Sequence, residues 1–170
     1  LTGVYNRRYI DRRLLEEIAR ARRQAYPISF MYIDIDHFKR VNDTAGHGGG
    51  DDVLREVAMR IKNELRTSDA VARFGGEEFV VLLIDANLES AAFVAERIRS
   101  SVAGTLIALS PELQLSVTVS IGVACLNPAD NEGDPVGIAR NWIAQADALL
   151  YAAKEGGRNR VVSFAPTSAA

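Results

Sequence analysis

Two acidic clusters in this chain carry chemistry that packing alone does not require. Glu77-Glu78 follows the pair Gly75-Gly76 and precedes the apolar run 79–84; Asp34-Ile35-Asp36 closes the apolar run 28–33. Two β-rich runs flanking a Gly-Gly pair predict a hairpin over 70–84, with the glycines supplying the positive φ of a tight turn. Strand alternation sets Asp34 and Asp36 on one face of a second strand. If these strands pair, the carboxylates crowd together, and a cation must offset their repulsion. Few hard oxygen ligands, with room left for water and phosphate, suit Mg²⁺. For the glutamates alone a plainer reading stands beside this one, a solvated hairpin end. Taken together, the two clusters point to metal-dependent chemistry on a phosphate compound.

The remaining segments supply the scaffold. Residues 6–24 predict a helix through Leu14, Leu15, Ile18 and Ala21, with Asn6 as N-cap. Its other faces carry seven arginines, which read either as a nucleic-acid or membrane surface or as a solvated face. The i,i+4 pairs Arg12–Glu16, Arg13–Glu17 and Glu16–Arg20 favour the solvated face. A strand over 28–34 leads to a short helix start at 37–42 and then to Gly46-His47-Gly48-Gly49-Gly50-Asp51. A glycine-rich loop opening a helix could cradle phosphate through free N–H groups, although this one matches no nucleotide fingerprint. Asp51 or Asp52 would cap the following helix, whose apolar face is Val53, Leu54, Val57, Ala58, Ile61 and Leu65. Further helices are predicted over 87–103 and 135–154, a long strand over 113–126, a last strand over 160–164, and a frayed tail over 165–170.

This order predicts an α+β fold with a βαββαβ kernel of the ferredoxin-like or polymerase-palm type. Its central sheet is mostly antiparallel, with helices layered on one side and an extra C-terminal strand. At 170 residues, 48% hydrophobic and 25% charged, the chain fits a single domain spanning 1–170. A net charge of −2 and a pI near 5.7 argue against nucleic-acid binding by blanket phosphate neutralisation. The one cysteine, Cys125, lies in an apolar run and reads as a small core residue in a reducing, cytoplasmic compartment. No apolar stretch is long enough to span a bilayer. Because the chain begins at Leu1, it reads as part of a longer protein, with a sensor or a membrane anchor upstream.

In order along the chain, these motifs resemble the GGDEF family of diguanylate cyclases. Leu1-Thr2-Gly3-Val4-Tyr5-Asn6-Arg7-Arg8 is similar to the family's opening motif. Asp34-Ile35-Asp36-His37-Phe38-Lys39, Asn42-Asp43, Gly46-His47 and Gly50-Asp51 are similar to its metal and guanine segment. Gly75-Gly76-Glu77-Glu78-Phe79 resembles its signature in the Glu variant. The resemblance implies condensation of two GTP molecules into cyclic di-GMP by two facing domains, a homodimer in the active state. It also implies Mg²⁺, two ions per active site, with Mn²⁺ as an alternative. On that basis Asp34, the Ile35 carbonyl and Glu77 would bind metal. Glu78 would assist deprotonation of the ribose 3′-hydroxyl, the division of labour between Glu77 and Glu78 being open.

Asn42, His47 and Asp51 would then read guanine. The N–H groups of His37 and Phe38, with Lys39, Lys154 and Arg158, would hold phosphate. Arg66-Thr67-Ser68-Asp69 resembles the family's RxxD product-inhibition site, and Arg97 stands where its second arginine is expected. Each residue singly has a plainer role: Asp51 as a cap, His47 as a loop residue, Lys154 and Arg158 as cations at a helix C-terminus, and Arg66 with Asp69 as a charged helix end. Ala45 replaces a frequent aromatic, and Gly48 to Gly50 predict a flexible loop that would weaken guanine binding. The alternatives to a cyclase are a non-catalytic receptor for cyclic di-GMP or GTP, and a cyclase making a cyclic mononucleotide.

Overall fold

Ile28–Ile35 has no exposed position and forms β1, the middle strand of the sheet. A strand buried on both faces needs cover on both, and the helices that follow supply it. The computed structural model describes residues 1–164; the expected frayed tail, 165–170, lies outside them. Around β1 the chain places α1 (Arg7–Gln24), α2 (Phe38–Asn63), β2 (Ala70–Arg73), β3 (Glu78–Leu83), α3 (Leu88–Ala103), β4 (Ile107–Ala108) and β5 (Gln114–Leu115). It continues through β6 (Val119–Leu126), a 3₁₀ turn (Pro128–Asp130), α4 (Pro135–Glu155) and β7 (Val161–Phe164). The main sheet runs β2-β3-β1-β6-β7. All its pairings are antiparallel except the parallel β6–β7 edge. This is the α+β fold expected, with the predicted C-terminal strand in place.

The helices do not lie on one side. Met31, Ile33 and Ile35 pack with α2 and α3 through Val57, Ile61, Ala95 and Ile98. Phe30 and Tyr32 pack with α1 and α4 through Leu14, Ile18, Trp142 and Leu150 on the opposite face. The apolar β1 run leaves no polar face for solvent, so the layers are helix, sheet, helix. Caps follow the expected chemistry. The Asn6 side chain accepts from the Tyr9 N–H at 2.9 Å, and Asn87 caps α3 in the same way. On α1, buried Glu17 pairs with Arg13 at 3.2 Å and Arg20 at 3.1 Å, and Arg7 with Asp11 at 3.8 Å, while among the described residues no ion pair forms on Glu16.

Other expectations are corrected. The run 113–126 is broken at 116–118: its first part, β5, pairs with β4 in a separate two-stranded sheet. The stretch 46–51 is not a loop. Gly46 alone leaves helical geometry, at φ 72° and ψ 176°, and helix resumes at once, so α2 is two arms joined at a kink. Asp51 and Asp52 are therefore inside the second arm and cap nothing. Gly75 and Gly76 do not adopt left-handed φ; the hairpin connection is four residues, Phe74 to Glu77, and does not need it. Cys125 is half-buried, not a full core residue, and burial raises its thiol pKa.

Candidate active site

Pairing register brings the two acidic clusters together. Asp34 lies opposite Glu78 on β3 and opposite Ser120 on β6. The Ile35 N–H donates to the Glu77 carbonyl at 3.2 Å. Thus Asp34, Ile35, Glu77 and Glu78 meet at one end of the sheet. The last turn of α4 reaches the same place, where Lys154 Nζ pairs with Asp34 Oδ2 at 2.9 Å. Lys154, expected as a phosphate ligand, thus neutralises the carboxylate in the free domain. Asp34 is 4% exposed. Burial pushes its carboxyl above the usual carboxylate range, against the pull of Lys154.

Glu77 is also held above its ordinary value of 4.5, first by burial and then by the charge of Asp34, with which it shares a hydrogen bond. Two carboxylates that are costly to ionise together, flanked by a backbone carbonyl, fit a divalent cation. Among the described residues no three His, Cys, Asp or Glu side chains form a metal cage by themselves, so phosphate and water would have to complete the shell. A stability effect follows. Between 4.5 and the raised value the folded chain binds more protons than the unfolded chain, so stability falls as pH rises through that window. Metal-free Glu77→Gln is therefore expected to melt above the native domain at neutral pH and to lose that advantage below about pH 4. Melting scans in EDTA at several pH values measure this; equal melting points throughout would contradict it.

Glu78 is held differently. Its Oε2 accepts from the Tyr32 hydroxyl at 3.0 Å. A Cβ on Gly75 would lie 2.7 Å from that same oxygen, so the bare glycine leaves the space the carboxylate occupies. Burial first, then Glu78, raises the Tyr32 phenol well above its usual range. Asp36, which strand alternation had placed beside Asp34, is instead committed to the scaffold. Its carboxylate accepts from Thr118 Oγ1 at 2.7 Å, Ser120 Oγ at 2.6 Å and the Asn159 N–H at 3.0 Å. These bonds tie the α4–β7 turn, where Arg158 and Asn159 both adopt left-handed backbone, to the edge of the site.

The other candidates surround this end. His37 takes a left-handed φ of 55° and caps α2 through its carbonyl, which accepts from the Arg40 N–H. The N–H groups of His37 and Phe38 and the exposed side chain of Lys39 start that helix. A Cβ at Gly50 would collide with the Asn42 amide oxygen, so Gly50 lets the arms of α2 approach and sets Asn42 next to the position preceding Asp51. Gly49 and Gly50 are therefore packing residues, while a Cβ at Gly48 would meet no atom within 4 Å. His47 is exposed just past the kink.

On the far side of the hairpin, Arg66, Asp69 and Arg97 line a cleft of about 430 Å³ with Glu64 and the exposed Phe93. Asp69 is occupied there: Oδ2 accepts from the Arg66 N–H at 2.9 Å and Oδ1 from the Ile84 N–H at 3.2 Å. Arg97 pairs with Glu64 at 2.6 Å.

A family model described as diguanylate cyclase, GGDEF domain, matches residues 1–160. This chain belongs to the GGDEF family. It is 45% identical over 167 residues to the response regulator PleD of Caulobacter vibrioides, covering 97% of this chain and 35% of that protein. The GGDEF domain of DgcB from Caulobacter crescentus, solved in complex with c-di-GMP, superposes with a TM-score of 0.86 at 36% identity, covering 95% of this chain and 89% of that one. The active GGEEF domain of a diguanylate cyclase from Vibrio cholerae superposes equally well, at 0.86 and 32% identity, covering 97% of this chain and all of that one. The chain spans less than half the length of the curated relatives it matches. Like other GGDEF domains it has the palm-like sheet, and none of its described helices is long and apolar enough to cross a membrane. Sequence reasoning passed over Tyr32, although alternation from Asp34 sets it on the same strand face.

Proposed function

We propose that this domain is a diguanylate cyclase that condenses two GTP molecules into cyclic di-GMP. The observation that carries the reading is the meeting of Asp34, Glu77 and Glu78 across β1 and β3, with Lys154 beside them. In each of two steps a ribose 3′-oxygen attacks the α-phosphorus of the other GTP, the bond to the β-phosphate oxygen breaks, and pyrophosphate leaves. The hydroxyl proton passes to the Glu78 carboxylate. A Mg²⁺ or Mn²⁺ ion held by Asp34, the Ile35 carbonyl and Glu77, with a second on the phosphates, would supply Lewis-acid stabilisation of charge on phosphate oxygens.

Lys39, Lys154 and Arg158, with the N–H groups of His37 and Phe38, offset charge as pyrophosphate departs. Asp51 accepts from guanine N1–H and the exocyclic amine, the Asn42 amide donates to O6, and His47 lies at the same edge; adenine presents the opposite pattern. The attacking hydroxyl belongs to a GTP in a second domain, so two copies must face each other about a two-fold axis.

Cyclic di-GMP as product and inhibitor would engage Arg66 and Arg97 in the cleft behind the hairpin, through guanidinium forks that suit phosphate and guanine. Since Asp69 holds two backbone N–H groups, Arg66, whose side chain is 64% exposed, is the cleaner probe.

Incubating the domain with GTP and Mg²⁺ at several protein concentrations, with and without added cyclic di-GMP, and identifying products by mass tests the reading. Cyclic di-GMP should form, at a specific activity that rises with protein concentration, and Arg66→Ala should relieve product inhibition with catalysis retained. A cyclic mononucleotide product, or no turnover at any concentration, would overturn it.

A further inference from the structure

We propose that Tyr32 is a positioning residue for Glu78, fixing the carboxylate in the orientation from which it takes the ribose proton. This rests on the role given to Glu78 above. Tyr32 lies two residues before Asp34 on β1 and is 8% exposed. Its ring is fixed by edge-to-face contacts with Phe74, centroids 5.6 Å apart, and with Phe30, at 6.4 Å. A ring clamped on two sides places its hydroxyl with little freedom, and that hydroxyl donates to Glu78 Oε2 at 3.0 Å.

The hydrogen bond spans adjacent strands, since Tyr32 pairs with Val80, two residues beyond Glu78 on the same face of β3. A glutamate has three rotatable side-chain bonds and sits here at the mouth of a turn. Without a donor its carboxylate samples several rotamers, only some of which reach the substrate. A Cβ on Gly75 would stand 2.7 Å from this same oxygen, so the bare glycine leaves it room. Tyr32 and Gly75 thus form a slot for one carboxylate oxygen.

The consequence is a division of labour between the adjacent glutamates. Glu77 interacts most closely with Asp34, while Glu78, the cross-strand partner of Asp34, gives its Oε2 to the Tyr32 hydroxyl. Pairing each glutamate with a different partner separates a metal-facing carboxylate from a proton-accepting one.

The experiment is a double-mutant cycle on the intact domain: native, Tyr32→Phe, Glu78→Asp and the double variant. Each is assayed for kcat and KM with GTP, and for melting temperature in EDTA. Phenylalanine keeps the ring packing and removes only the hydroxyl. Aspartate keeps a carboxylate but is too short to reach that hydroxyl. Tyr32→Phe is expected to lower kcat about tenfold with KM unchanged. In the Glu78→Asp background the same change should have no further effect on kcat, and the two melting-temperature losses should be non-additive. A purely structural role for Tyr32 would lower the melting temperature and leave kcat and KM at their native values. A native kcat in Tyr32→Phe, or additivity, overturns the positioning role. If instead Glu78→Asp and Glu78→Gln both turn over like the native domain, the assignment of Glu78 itself falls, and the positioning role with it.

Discussion

Asp34→Asn is expected to lower cyclic di-GMP formation by about a thousandfold or more, because one change removes the charge that both a divalent ion and Lys154 use. The asparagine amide fits the same space, so packing is preserved. The carboxyl is buried and held above its usual range, with Lys154 Nζ at 2.9 Å opposing that shift. Removing a charge that the fold disfavours should not lower the melting temperature of the metal-free domain. Lys154 keeps a third of its side chain exposed and can turn to water, so it is not left as a buried unpaired cation. The assay is product mass at saturating GTP and Mg²⁺, with melting scans in EDTA alongside. Activity within about tenfold of native, or activity unaffected by EDTA, would remove Asp34 from the centre.

Gly75→Ala should cost about a hundredfold in kcat with little loss of stability. The backbone at Gly75 is not left-handed, so alanine fits the conformation. The damage is steric, since the new methyl would stand 2.7 Å from Glu78 Oε2. The turn has little room to yield. The N–H groups of Phe74 and Gly75 donate to the Glu78 carbonyl at 2.8 and 3.4 Å. The Arg73 guanidinium also holds the Gly75 and Gly76 carbonyls, at distances from 2.7 to 3.2 Å. Glu78 must therefore rotate away from Tyr32. Gly76→Ala is the stability control, because its methyl would meet no atom within 4 Å. A Gly75→Ala domain with native kcat would show that the glutamate needs no fixed orientation; a large fall in melting temperature would show that the turn, and not the carboxylate, bears the change.

Local chemistry made much of the fold legible in the sequence. Asn6 predicts the start of α1 because a side-chain oxygen must meet a free N–H there. Leu14, Ile18 and Ala21 predict the buried face of α1 by spacing alone. The carboxylates at 34, 77 and 78 stand out because strand ends and turns have no packing use for them. The same local logic fails where a residue's partner is distant in sequence. Gly48 to Gly50 look like a loop by composition, yet they are helical because one residue, Gly46, absorbs the whole reversal and the arms then pack through Gly50 against Asn42.

The run of β1 to β3 side chains, the acidic strand ends and the Asn6 cap belong to the sequence, since each depends on neighbours within a turn or a strand repeat. Which carboxylate does what belongs to the tertiary structure. Asp34 and Asp36 are indistinguishable as letters two positions apart. In the fold Lys154 approaches the first, while Thr118, Ser120 and the Asn159 N–H consume the second. Glu77 and Glu78 are likewise equivalent in sequence. They diverge because Glu78, opposite Asp34 in the register, gives an oxygen to the hydroxyl of Tyr32, while Glu77 in the turn interacts with Asp34 itself, contacts between positions tens of residues apart that no local pattern encodes.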